Sequence, residues 1–234
     1  MKKIIKLFVL GIILFSFVGC SSDKEVTDAI RFKEEYEALN NEEGYNGKST
    51  RVLEISEDNP FVYKSADDIL EMMDSDETFV VYFGFASCPW CRSIIKPLME
   101  VADDLGINKI YYVDVKEIRD IKSLDDEGNI ITEKEGADDY YELLEKMDSV
   151  LEDYTLIDED GNEIMTGEKR IYAPNIVSVV AGEVVKMTDG ISDSQEDAYM
   201  ELTEEMVENS YDKIKCSVEC VIDKEEICSV KTKC

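Results

Sequence analysis

The chain of 234 residues contains no histidine and only one tryptophan. Without imidazole there is no Cys-His or Ser-His nucleophile, and the commonest neutral metal ligand is missing. Positive charge is also scarce: 25 Lys and Arg face 54 Asp and Glu, for a formal net charge of −29. A surface that acidic repels phosphate backbones and anionic head groups, which argues against nucleic acid as a partner and against electrostatic attachment to a membrane. Its plainest reading is solubility. The N-terminal apolar run, residues 7–18, is shorter than the roughly 20 residues a membrane-spanning helix needs. It follows Lys2, Lys3 and Lys6, so residues 1–19 read as a signal sequence. Without that segment 22 basic residues face 54 acidic ones, or −32.

Against this background the cysteines stand out. Cys88-Pro89-Trp90-Cys91 directly follows residues 79–85, an almost wholly apolar run that reads as a strand buried on both faces. Ile94, Ile95, Leu98, Met99, Ala102 and Leu105 then recur with helical spacing. The pair therefore lies where a central strand ends and a helix begins. Unpaired N–H groups and the positive end of the helix dipole favour a thiolate there, and the thiolate is the nucleophile of disulfide exchange. The blander reading is a disulfide that staples a turn.

Four further cysteines, Cys216, Cys220, Cys228 and Cys234, crowd the last nineteen residues. Outside the cytoplasm they read as two disulfides. Cys216 and Cys220 lie one helical turn apart. A chain reversal near residues 223–225 suggests pairing Cys220 with Cys228 and Cys216 with Cys234. The competing readings are a four-cysteine zinc site, whose spacing lacks tight knuckles, and an electron relay with Cys88 and Cys91. No metal and no cofactor is expected.

Along the rest of the chain, residues 20–50 read as a charged stalk holding a short helix near 31–39. A first strand is expected at 51–55. A helix capped by Ser65, with Asp68 three residues on, carries Ile69, Leu70, Met72 and Met73. A second parallel strand falls at 109–115. Residues 116–170 form an insertion with two acidic Gly-containing turns, at 125–129 and 158–162, read as hairpin turns rather than calcium loops, and a helix over 140–151. Strands at 176–180 and 184–187 form a hairpin, and a last helix runs from about 194 to 214. The expected class is α/β: a central mixed sheet flanked by helices.

Three resemblances extend these readings. Phe17-Val18-Gly19-Cys20 resembles the lipobox of bacterial lipoproteins, though with Phe17 where Leu is usual, and that implies cleavage before Cys20 and its lipidation. Cys88-Pro89-Trp90-Cys91 after the central strand, together with Tyr172-Ala173-Pro174-Asn175 before the strand at 176–180, resembles the thioredoxin fold over roughly residues 50–214. The chain also looks like lipoprotein relatives of the bacteriocin transport accessory proteins. The thioredoxin resemblance implies that Cys88 is the exposed attacking thiol, that Cys91 resolves, and that a cis Pro174 faces them. Ala173, Pro174 and Trp90 would then hold a substrate chain as an added strand. Thioredoxins carry a buried acid six residues before the first cysteine; here that position is Tyr82, with Tyr112 and Glu117 as further candidate proton-transfer helpers.

Together these imply a signal peptide at 1–19, a lipid-anchored stalk at 20–50, a thioredoxin-like domain at 51–214 and a disulfide-stapled extension at 215–234. The function implied is thiol–disulfide exchange with protein thiols or disulfides on the outer face of a cell membrane, with a membrane electron-transfer partner. The alternative is a non-catalytic accessory module for a transporter or secreted partner.

Overall fold

The computed structural model describes residues 26–44 and 47–222. The N-terminal segment with Cys20, and Cys228 and Cys234, lie outside them.

A five-stranded mixed sheet forms the centre, in the order β1-β3-β2-β8-β9. β1 (Phe61–Tyr63), β3 (Ile110–Asp114) and β2 (Phe79–Gly84) are parallel; β8 (Asn175–Val180) runs antiparallel to β2, and β9 (Glu183–Thr188) antiparallel to β8. Every residue of β2 is buried, as its continuous apolar run requires. Val80 and Tyr82 face one side, where α1 (Asp28–Glu37), α3 (Pro89–Leu105) and α5 (Glu204–Val218) pack; Phe79, Val81 and Phe83 face the other, under α2 (Ala66–Asp74) and α4 (Asp138–Met147). Each such buried side chain contributes about 1.5–3 kcal/mol. The mixed sheet with helices on both faces agrees with the expected α/β class.

Local signals explain several boundaries. The Ser65 hydroxyl accepts from the Asp68 N–H while the Asp68 carboxylate accepts from the Ser65 N–H, a complete capping box for α2. α3 ends at Gly106, which is left-handed at φ 68. In the insertion, β4 (Ile121–Leu124) and β5 (Ile130–Lys134) form one hairpin, and β6 (Glu152–Ile157) and β7 (Glu163–Arg170) another. Asp125 and Asp158 each accept from the backbone N–H of the Asn four residues on, closing the two acidic turns.

Four expectations need correction. Residues 51–55 do not form a strand; the first strand is β1, since Leu53 and Ile55 are buried beside α1 without a ladder partner strand. The stretch read as a stalk contains α1, whose Phe32 and Tyr36 are fully buried. Phe32 stacks on Phe61 at 3.9 Å between ring centroids, so that part of the stalk belongs to the core. The last helix starts at Glu204, capped by Thr203, not near 194, so Met200 and Leu202 lie outside it. It also runs past residue 214: Val218 is buried within α5, and Cys220 in the turn that follows. The C-terminal extension therefore begins as a continuation of the core.

Candidate functional site

Cys88 is the N-cap residue of α3, with Pro89 in its first turn. Proline suits that position because its missing N–H would have no helical partner. The Cys88 sulfur accepts the Cys91 backbone N–H at 3.1 Å, and its thiol donates to the Ala173 carbonyl at 3.3 Å. The Ala173–Pro174 peptide bond is cis. The structure thus brings together Cys88, Cys91, Ala173 and Pro174 from the ends of β2 and β8, with Trp90 half-buried beside them. Both Cys88 and Cys91 are free thiols.

The two sulfurs titrate in opposite directions. A hydrogen bond from the Cys91 thiol lowers the pKa of Cys88, against the cost of burial; the backbone N–H groups of Cys91 and Trp90 and the Arg119 guanidinium add to the lowering. Burial pushes Cys91 well up, and its bond to Cys88 adds to this, while hydrogen bonding from Tyr82 favours the Cys91 thiolate. This arrangement gives one poised nucleophile and one thiol held in reserve.

One expected feature is overturned. Cys88 is not exposed: only 4% of its surface is accessible, because the Ala173 loop lies over the sulfur and takes its hydrogen bond. The open space lies alongside. A groove of about 820 Å³ is lined by Trp90, Tyr172, Ala173, Pro174, Asn175 and residues of β9, among others, and neither sulfur lines it.

Behind Cys91 sits a tyrosine cluster. Tyr82 is fully buried, its ring stacked on Tyr112 at 5.5 Å and its hydroxyl 3.1 Å from the Tyr36 hydroxyl. Of the other candidate helpers, Tyr112 joins this cluster, whereas Glu117 is an exposed residue ion-paired with Lys134 at 3.6 Å. Next to Cys91, the Arg92 guanidinium is 1% exposed and is held without a carboxylate. It donates to the carbonyls of Arg51, Tyr36 and Ala86 and to the Asn40 side chain.

Sequence reasoning missed Tyr36, Arg92 and Arg119. Tyr36 lies in the segment read as a stalk. Arg119, whose guanidinium lies 5.0 Å from the centroid of the Phe85 ring, comes from the insertion. Only Arg92, one residue past Cys91 on a helix rich in buried positions, carried a local signal.

Cys216 and Cys220 are both disulfide-bonded; the pairing expected with Cys228 and Cys234 lies outside the described residues. The Lys186 ammonium donates to the Cys216 carbonyl at 3.2 Å. Among the described residues there is no cluster of three or more His, Cys, Asp or Glu side chains able to hold a metal ion, and no helix long and apolar enough to cross a membrane. No family model, no curated protein and no solved structure matches the chain.

Proposed function

We propose that the chain is a thioredoxin-like thiol–disulfide oxidoreductase, tethered by lipid at Cys20 to the outer face of a cell membrane and acting on protein thiols or disulfides. The observation that carries this reading is the placement of the Cys88 sulfur: at the N-cap of α3, lowered in pKa, and in hydrogen-bond contact with the Ala173 carbonyl. A structural staple would need no such contact. In the reducing direction the Cys88 thiolate attacks a substrate disulfide, forming a mixed disulfide, and the first substrate sulfur leaves as a thiolate that takes a proton from water. Cys91, losing its proton, attacks the Cys88 sulfur. The second substrate sulfur leaves and is protonated. Two protein thiols become one disulfide as one substrate disulfide becomes two thiols. In the oxidising direction the same steps run in reverse, and the reduction potential decides which prevails. The membrane electron-transfer partner proposed here resets the dithiol after each turnover.

The test is trapping in the native host. Cys91→Ser is expected to accumulate Cys88 mixed disulfides with other proteins, and Cys88→Ser to accumulate none. Equal patterns from both variants would end the reading.

One observation favours a second reading, a non-catalytic accessory module. The insertion hairpins leave Ile121, Ile130, Ile131, Ile157 and Met165 exposed, apolar side chains that a partner surface would cover. A partner phenotype that survives Cys88→Ser but is lost on replacing these residues by Ser selects that reading.

A further inference from the structure

Cations are scarce in this chain, and many of those described meet a carboxylate: Lys48 at 2.5 Å, Lys122 at 2.8 Å and Lys146 at 2.6 Å. Two beside the dithiol do not. Lys116 and Arg119, from the segment that follows β3, make no ion pair among the described residues, and the Arg119 guanidinium makes no hydrogen bond there either. Both rest on one aromatic face. The Lys116 ammonium is 5.9 Å and the Arg119 guanidinium 5.0 Å from the centroid of the half-buried Phe85 ring. Phe85 opens the loop that carries Cys88, and its carbonyl accepts the Cys88 N–H at 3.1 Å. The Lys116 ammonium also lies 3.4 Å from the hydroxyl of Ser87, the residue before Cys88. The groove beside Trp90 and Pro174 is lined by none of Phe85, Lys116 and Arg119, so the cluster is a separate feature of the site.

Neighbouring acids leave the pair unneutralised. Asp114, at the end of β3, accepts the Lys116 backbone N–H at 2.8 Å and forms no ion pair with the ammonium. Glu117 is taken by Lys134, and Asp120 by Arg170. Burial, with Arg170 nearby, pushes the Arg119 pKa down, as expected of a cation short of counter-charge. In the reduced protein the Cys88 sulfur does not fill that role, because its thiol is directed at the Ala173 carbonyl. An incoming carboxylate would supply the missing charge.

We propose that Lys116 and Arg119 receive an acidic side chain flanking the reacting cysteine of a protein substrate. This rests on the oxidoreductase reading and narrows its substrate class. The net charge of −29 repels acidic proteins at a distance, and the pair reverses the sign only where substrate meets sulfur. Selection is then by the residues around the cysteine, not by the charge of the whole partner. The chemistry is that of disulfide exchange. Cys88 sulfur bonds to one substrate sulfur, the substrate S–S bond breaks, and the departing thiolate takes a proton from water. The carboxylate docks the segment and is unchanged.

The test uses the full mature chain, reduced, and peptide disulfides that differ only in one residue beside the cysteine, Glu or Gln. Consumption of each is followed by mass after acid quenching. The readout is the Glu-to-Gln ratio of rates, compared between the parent and a variant carrying Lys116→Gln and Arg119→Gln. A change in the reactivity of Cys88 itself moves both rates together and cancels. The double variant should lower the ratio roughly fivefold, as for loss of about one partly exposed ion pair, and added salt should lower it in the parent alone. The same ratio in parent and variant overturns the proposal. Should the double variant fail to fold, an unchanged ratio in Lys116→Gln, at an exposed side chain, overturns it equally. Dependence on the pair seen with glutathione disulfide but not with the peptides overturns the assignment to a protein substrate. A parent chain that consumes no disulfide overturns the oxidoreductase reading and this proposal with it.

Discussion

The Cys88 thiol donates to the Ala173 carbonyl at 3.3 Å, joining the start of α3 to a loop 85 residues further along the chain. That contact lies over the sulfur, of which 4% is accessible. On the proposed function, a substrate peptide pairing with the 173–174 segment would compete for that carbonyl and so uncover Cys88. The 820 Å³ groove beside Trp90 and Pro174 gives it a path.

The first prediction concerns pH. The Cys91 thiol is the largest influence lowering Cys88, so alkylation of the reduced protein at Cys88 should reach half its maximal rate below the usual thiol value. Cys91→Ala removes that donor and should move the midpoint up, slowing alkylation at neutral pH. Rate against pH, read by intact mass with iodoacetamide, checks both. The sign follows from which form is bonded: a donor to the thiolate stabilises the charged state, and its loss destabilises it.

Arg92 should be sensitive even to lysine. Its guanidinium ties Tyr36, Asn40 and Arg51 to α3 through donors in a fixed fork. Arg92→Lys cannot reproduce that fork and should cost about 3 kcal/mol or more, because several buried carbonyls lose a charged donor. The loss should appear in urea unfolding, and hydrogen exchange should quicken in α1 before the central sheet.

The insertion is held by another buried polar contact. Asp120 and Arg170 form an ion pair at 3.0 Å, with both side chains almost fully buried. The Arg170 guanidinium also lies 3.9 Å from the centroid of the Tyr154 ring. Asp120→Ala strands a buried cation and should cost about 3–5 kcal/mol. Asp120→Leu with Arg170→Met should recover much of that loss. Thermal unfolding of the single and double variants measures the difference.

At the β8–β9 turn, Gly182 has φ +79, and a Cβ there would lie 2.3 Å from the Met73 carbonyl oxygen. Gly182→Ala should therefore destabilise by more than the roughly 1–2 kcal/mol that a left-handed alanine costs alone. The urea midpoint is expected to fall with little change in slope.

The parts of this architecture that could be read from sequence are those in which neighbouring residues determine the outcome. The unbroken run at 79–84 could only be a doubly covered strand, and Ser65 with Asp68 carried its own cap. The two Asp-to-Asn turns signalled hairpins. Cys88 and Pro174 were legible because each sits at the end of such a strand. What was lost depended on distant contacts. Nothing in the charged pattern of 28–37 tells that Phe32 and Tyr36 insert under the sheet, since two aromatic rings four residues apart make a narrow apolar stripe. Residues 51–55 alternate like a strand, but Arg92 takes the Arg51 carbonyl. The burial of Cys88 was likewise invisible, because the lid over it comes from Ala173.

The most direct measurement is a redox titration of the purified mature chain across glutathione buffers, with the Cys88–Cys91 bond scored by mass after acid quenching and alkylation. A reversible two-electron transition confined to that pair is expected, with a midpoint between about −270 and −120 mV. If Cys88 and Cys91 stay reduced across that range, or bond to other cysteines instead of each other, the dithiol is not a redox centre.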